Sequence, residues 1–198
     1  MNSARTAFFD EVAQVWDDRQ GSDVMERIQE WCATLPIPPR GIVIDLGCGT
    51  GVSSLAIAIS GERRVLALDR SIGMLQIGKA KRGYEGIVWV QGDAAFLPMA
   101  PSSVDAVVAL HMLPHVDNWQ AAFAEWRRVL KPEGSLFIAH LSSRARINEI
   151  HRSGPSAVQQ DRLPPVRVLA GQLVSAGFCV LESEDSEERY TLHCARTE

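Results

Sequence analysis

The sequence predicts an α/β protein built on a doubly wound, mostly parallel seven-stranded sheet. Three observations predict it. Short segments that are apolar throughout recur between residues 42 and 139, and helical spacing follows the first, second and fourth. That texture marks parallel strands covered on both faces. A glycine cluster, Gly47-Cys48-Gly49-Thr50-Gly51, stands where the first strand turns into a helix, and acids fall at the ends of successive strands.

The elements follow in order. Phe8, Phe9, Val12 and Val15-Trp16 recur at helical spacing until Gly21-Ser22 breaks the run. Asp23 with Glu26 predicts a capping pair for a second helix bearing Val24, Ile28, Trp31 and Leu35, stopped by Pro36, Pro38 and Pro39. Ile42 to Leu46 is the first strand. The helix from Ser53 to Ser60 is expected to close on Gly61 as a helix-end glycine. Val65 to Asp69 is the second strand, and Ser71 caps a helix carrying Met74, Leu75 and Ile77. Ile87 to Val90 and Val104 to Leu110 are the third and fourth strands. Asp117 with Gln120 predicts a cap for a helix with Trp119, Phe123, Trp126 and Leu130 inward, and Ser135 to Ala139 is the fifth strand. Phe178 to Leu181 and Tyr190 to Cys194 form a C-terminal antiparallel hairpin, joined by an acidic, solvated link. Right-handed crossovers then place ligands at the carboxyl ends of the parallel strands.

Composition agrees with one folded unit. The chain has 198 residues, 46% hydrophobic and 22% charged, enough for a substantial core without staples. Its formal net charge of -4 offers no basic face for nucleic acid. Cys32, Cys48, Cys179 and Cys194 form no CxxC pair and no zinc spacing, which suits a reducing cytoplasm and predicts no metal. The Met1-Asn2-Ser3-Ala4-Arg5 start meets Asp10 and Glu11 before any apolar run, so no signal peptide is read. Nor does any segment approach the ~18 apolar residues of a membrane span.

The glycine cluster carries the first chemistry. Glycines let backbone approach a ligand and turn sharply into a helix whose N-terminus faces it. Alone this is weak, but Asp45, Asp69 and Asp93 near the ends of strands one to three would border a single crevice. A pyrophosphate would be repelled by Asp45. A ligand with an amino group, a ribose diol and an adenine amine would be attracted at three points, with Asp69 placed for the ribose hydroxyls. Asp93 could accept from the adenine amine, and Asp45 could serve the amino-acid end directly or through water. NAD is the rival ligand, but its GxGxxG fingerprint is incomplete because Ser53 stands near the third glycine position. A degenerate fold without cofactor is the bland alternative.

Val43-Ile44-Asp45-Leu46-Gly47-Cys48-Gly49-Thr50-Gly51, Asp69-x-Ser71-x-x-Met74-Leu75, Gly92-Asp93-Ala94 with Leu97-Pro98, Val104-Asp105-Ala106-Val107-Val108 and Arg128-Val129-Leu130-Lys131-Pro132-Glu133-Gly134 run in order. Together they resemble the motifs of the small-molecule class I S-adenosylmethionine (SAM) methyltransferases. Ala95 and Val104 depart from that family's usual residues. The resemblance implies a Rossmann-like fold as a single domain, with an N-terminal helical cap over 1–38 and a SAM-binding core over 40–140. The long, arginine-bearing connection over 142–165 is read from its residues as a substrate lid, with a solvated surface helix as the alternative. The resemblance also implies that Asp69 holds the ribose and Asp93 the adenine amine, and that Gly47, Cys48, Gly49 and Gly51 lie against the methionine part and its sugar. Arg70, Met74 and Ala94 would border the nucleoside, and His111 the sulfonium. Phe8-Phe9-Asp10-Glu11-Val12-Ala13-x-x-Trp16-Asp17 resembles the entry segment of quinone C-methyltransferase-like enzymes, with Phe9 or Trp16 folding over the site.

Methyl transfer from a sulfonium is an in-line displacement, and positioning alone can supply ~7–11 kcal/mol of barrier reduction. A signature base is therefore optional. His111, His140 and His151 are the candidate catalytic residues. His115, Arg144 and Arg146 are candidates for the acceptor side, the arginines implying an anionic acceptor under the 142–165 lid. The expected function is methyl transfer from SAM to a small molecule, giving S-adenosylhomocysteine (SAH). A non-catalytic SAM-binding sensor or partner subunit is the alternative from another class.

Overall fold

The structure, a computed structural model, describes residues 3–81, 83, 84 and 86–197. Met1 and Asn2 of the N-terminal reading lie outside these. Helix α1 (Ser3–Val12) runs through a short 3-10 turn into α2 (Trp16–Gln20), and α3 (Ser22–Thr34) follows. Then come β1 (Ile42–Leu46), α4 (Val52–Ile59), β2 (Arg64–Asp69), α5 (Ile72–Ala80), β3 (Val88–Gln91) and β4 (Val104–Leu110). A 3-10 turn (Leu113–His115) precedes α6 (Trp119–Val129), β5 (Leu130–His140), α7 (Arg144–Ser153), α8 (Val166–Ser175), β6 (Phe178–Asp185) and β7 (Tyr190–Arg196).

The sheet order is β3-β2-β1-β4-β5-β7-β6. The first five strands in that order are parallel, and β7 runs antiparallel to both β5 and β6. Strand order reverses between β1 and β4, which opens a crevice at their carboxyl ends. Alternation along β1 divides the core: Ile44 packs with Phe123, Trp126 and Leu169 on one face, Val43 with Ile28, Ile57 and Leu75 on the other. Both faces are sealed, so the strands have no polar alternation. Trp126, Phe123 and Phe178 are all but fully buried, each stabilising the fold by about 1.5–3 kcal/mol through apolar burial.

Local differences from expectation have identifiable causes. Helix α3 starts at Ser22 with Gly21 as its N-cap and no side-chain cap, so the Asp23–Glu26 pair does not form. Helix α4 ends at Ile59 with Ser60 as its C-cap, and the left-handed residue of the turn is Glu62 (φ 52°) rather than Gly61. Asn118 rather than Asp117 caps α6, accepting from the Ala121 N–H at 3.0 Å; the Asp117 carboxylate is taken by arginines. Ser71 caps α5 as read, and Ser143 caps α7. Strand β5 already begins at Leu130, because Lys131-Pro132-Glu133-Gly134 is absorbed beside an irregularity in its pairing with β4. Much of the acidic link lies within β6, where Glu184 pairs with Arg189 and Asp185 with Arg144. Among the described residues no helix is long and apolar enough to cross a membrane.

Candidate active site

A cavity of about 170 Å³ opens at the carboxyl ends of β1, β2, β3 and β4, where the topology places a ligand. The glycine loop forms its floor. Gly47 and Gly49 line it, both at positive φ (61° and 55°). A Cβ added to Gly49 would meet only Trp16 Nε1, at 3.8 Å, so this glycine leaves bare backbone facing the space. Gly51 behaves differently. At φ 85° a Cβ there would sit 2.4 Å from Trp89 Cη2, and the residue does not line the cavity. Its role is close packing of α4 against β3, which corrects the expectation of ligand contact.

Asp69, at the end of β2, holds the loop in place. Its Oδ2 accepts from the Gly49 N–H at 2.8 Å and its Oδ1 from the Ser71 N–H at 2.8 Å. Burial pushes its pKa up, opposed by these backbone hydrogen bonds. Each oxygen keeps a lone pair for a ligand hydroxyl. Asp93 accepts from the Ala95 N–H at 2.9 Å and from Arg70 at 2.5 Å, and Arg70 also reaches Asp117 at 2.8 Å. Asp69, Arg70, Met74, Asp93, Ala94, Cys48 and His111 all line the cavity.

Asp45 does not. It is 1% exposed, lies behind the loop and accepts from Ser53 Oγ (2.7 Å) and Ser54 Oγ (2.5 Å), so it braces the first turn of α4 instead of touching a ligand directly. Burial pushes its carboxyl up to about 6, against those serine bonds, and Oδ1 has no partner among the described residues.

The histidines separate into two groups. His111 and His115 line the cavity, whereas His140 and His151 stand one layer behind it, buried, with ring centroids 5.3 Å from His111 and 5.0 Å from His115 respectively. His140 and His151 are therefore corrected from direct contact to support. Burial pushes His111 and His151 down to about 4 and pushes His140 well below the ordinary imidazole range, so all three are neutral at pH 7. The arginine assignment is corrected too. Arg144 pairs with Asp185 at 2.9 Å, and Arg146 sits exposed on α7; neither lines the cavity.

Phe9 and Trp16, the residues expected over the site, line the cavity, but the polar anchors that hold their segment in place carried no local signal in the sequence. Arg5, Thr6 and Phe9 of α1, Trp16 and Gln20 of α2 and Ile28 of α3 form a wall. Polar ties hold it. Arg5 grips Asp161 with two bonds (2.6 and 3.1 Å) and Asp117 with one (2.7 Å). Asp10 accepts from Ser71 Oγ at 2.6 Å and the Gly73 N–H at 2.8 Å. Lys81 pairs with Asp17 at 2.6 Å and donates to the Thr50 carbonyl at 3.0 Å. The 142–165 segment thus contributes Asp161 to the site's edge, through a loop, rather than its arginines. Among the described residues no group of His, Cys, Asp and Glu is arranged to hold a metal ion.

A bare glycine backbone, an acid at the end of β2 and an acid after β3 suit a ligand with a sugar diol and an exocyclic amine, as adenosine has. Known proteins point the same way. Residues 44–138 match the family described as Methyltransferase domain. A demethylmenaquinone methyltransferase of Renibacterium salmoninarum is 38% identical over 140 residues, 69% of this chain and 58% of that protein. A malonyl-[acyl-carrier protein] O-methyltransferase of a Methylovorus species is 31% identical over 166 residues, 79% of this chain and 56% of that protein. The chain thus spans less than three fifths of the length of these relatives. The crystal structure of a SAM-dependent methyltransferase from Aquifex aeolicus superposes with a TM-score of 0.74 at 16% identity, covering 94% of this chain and 97% of that one, a likeness of fold. The family match, the sequence identity and the likeness of fold together make residues 44–138 of this chain a methyltransferase domain.

Proposed function

We propose that this protein transfers the methyl group of SAM to a small apolar acceptor, a hydroxylated aromatic ring of the quinol type. One observation carries the reading: a single cavity joins the Gly49–Asp69–Asp93 rim to an apolar wall of Phe9, Trp16, Ile28, Leu110, Met112 and Val116. The polar rim fits an adenosine and the wall fits a flat apolar partner. The names of the demethylmenaquinone methyltransferase relatives support the quinone class. An anionic acceptor loses its support once Arg144 and Arg146 lie outside the cavity.

SAM, when bound, supplies an electrophilic methyl on a sulfonium. Asp69 would accept from the ribose hydroxyls, Asp93 from the adenine amine, and Met74 and Ala94 would border the base. Gly47, Cys48 and Gly49 would face the methionine part, with Asp45 reaching it only through water. Neutral His111 adds no positive charge beside the sulfonium. Phe9 and Trp16 exclude water, so that an in-line approach is held rather than solvated, the main source of rate.

The test is calorimetry with SAH, then transfer from labelled SAM to a short-prenyl 1,4-naphthalenediol. Asp69→Ala and Asp93→Ala each remove a hydrogen-bonding acid and are expected to weaken SAH by about 1.5–3 kcal/mol, roughly 10- to 150-fold, with melting temperature as the folding control. Equal affinities in wild type and both variants would overturn the cofactor assignment. Tight SAH binding without transfer to the diol would overturn the acceptor assignment.

A further inference from the structure

His115 and Asp161 form a dyad that neither residue's local sequence announces. His115 Nδ1 lies 2.6 Å from Asp161 Oδ2. Asp161 is 4% exposed and is clamped from its other side by the two Arg5 bonds. Arg5 also donates to the His115 carbonyl at 2.9 Å, so one guanidinium fixes both members. The ring of Phe9 packs edge-on against His115, with centroids 5.2 Å apart. With Nδ1 committed to the carboxylate, Nε2 has no partner among the described residues, on a side chain that lines the cavity.

We propose that His115 is the general base of the methyl transfer and that Asp161 is the residue positioning it. The proposal rests on the quinol-type acceptor. A quinol ring carbon attacks an electrophile well only when its hydroxyl surrenders its proton, which places electron density on the adjacent carbon. His115 Nε2 takes the hydroxyl proton as the new carbon–carbon bond to the methyl forms. The carbon–sulfur bond breaks and its electron pair stays on sulfur. The methylated ring carbon then loses its own hydrogen as a proton to water, and His115 returns its proton to the ring oxygen. One proton is released per methyl transferred, and nothing is oxidised or reduced.

The surroundings suit that role. Although burial pushes Asp161 up, hydrogen bonds from His115 and Arg5 hold it below the ordinary carboxylate range, so it stays ionised and favours the Nδ1–H tautomer. The titratable and charged groups facing His115 are Asp161, Arg5, His151 on α7, His140 on β5 and Asp69 on β2. Both neighbouring histidines are neutral at pH 7, and His151 Nδ1 lies 3.2 Å from the Asp161 carbonyl as its donor. No neighbouring imidazolium competes for the proton.

Two measurements test this. With the diol acceptor, His115→Ala is expected to lose 10²–10⁴-fold in kcat, to regain part of it with added imidazole, and to lose the fall in rate at acid pH. SAH affinity serves as the control for folding. Asp161→Asn is expected to lower kcat, by no more than the ~10²–10⁴-fold of His115→Ala, with the acid limb displaced. Separately, nitrogen NMR of the SAH complex should show His115 in the Nδ1–H tautomer, and mixed tautomers in Asp161→Asn. Full kcat with an intact acid limb in His115→Ala, or an Nε2–H tautomer in wild type, overturns the dyad. If the diol is not methylated at all, the quinol reading falls; the tautomer still decides the dyad, since an unchanged tautomer in Asp161→Asn refutes the positioning role.

Discussion

Gly49 and Gly51 are two residues apart in one loop, yet alanine should break different things at each. At Gly51 two costs add. An L residue at φ 85° pays about 1–2 kcal/mol, and a Cβ placed 2.4 Å from Trp89 Cη2, with Trp89 Cζ3 and Tyr84 Cε1 at 3.1 and 3.2 Å, forces repacking worth about 1–3 kcal/mol. The sum of roughly 2–5 kcal/mol corresponds to a melting temperature lowered by about 4–20 °C at 2–4 °C per kcal/mol. At Gly49 only the backbone cost applies, because the nearest atom to the added carbon is 3.8 Å away; about 1–2 kcal/mol lowers the melting temperature by about 2–8 °C. The new methyl instead protrudes where the cofactor lies, and displacing it costs about 1–3 kcal/mol, or 5- to 150-fold in SAH affinity. Differential scanning calorimetry and SAH titration of both variants separate the two losses. Equal melting temperatures, or wild-type SAH affinity in Gly49→Ala, would refute this division of labour within the loop.

Two further outcomes are expected. Burial raises the Asp45 carboxyl from 3.8 to about 6; the folded state therefore binds a proton that the unfolded state has released, and the stability this gives below pH 4 is lost as pH rises toward 7. Urea titrations at pH 4 and 7 should show the stability of wild type relative to Asp45→Asn falling by about 3 kcal/mol over that window; a pH-independent difference would contradict the buried, raised carboxyl. Trp126 Nε1 donates to the Ala94 carbonyl at 2.8 Å from a fully buried position. Trp126→Phe should cost about 1–3 kcal/mol in urea denaturation by stranding that carbonyl, and should also weaken SAH because Ala94 lines the cavity; unchanged SAH affinity would show that Ala94 needs no support from below.

The parallel core was legible because its determinants are local. An apolar run followed by a glycine or an acid, then helical spacing, reports strand, turn and helix within about 25 residues, and β1 to β4 fall within a residue or two of expectation. A helix cap was legible where one side chain could serve, as at Ser71, and illegible at Asp117. There Asn118 takes the cap, and two distant arginines, Arg5 and Arg70, hold the carboxylate. Asp45 illustrates another limit. Its place beside the glycine loop suggested a ligand, but which way a strand side chain points depends on pleat, and the pleat turned it under α4 toward Ser53 and Ser54.

The polar anchors of the cavity's roof, unlike its aromatic residues Phe9 and Trp16, could not be read for a related reason. Arg5 meets Asp161 across 156 residues of chain and Asp117 across 112, and nothing in the periodicity of either segment encodes a partner so far away. The pairing becomes visible only once the order β1-β4-β5 brings the turn after β4 and the loop before α8 beneath α1. It changes how the N-terminal helices are understood. Apolar residues such as Phe9 and Trp16 would cover a cofactor in any register, since hydrophobic packing is not directional. A guanidinium that must meet two carboxylates and a carbonyl admits one placement, because a buried arginine left with unfilled donors is costly. The ionic contacts of Arg5, more than the aromatic ones, therefore fix where α1 lies over the site, and the same contacts fix the ring plane of His115.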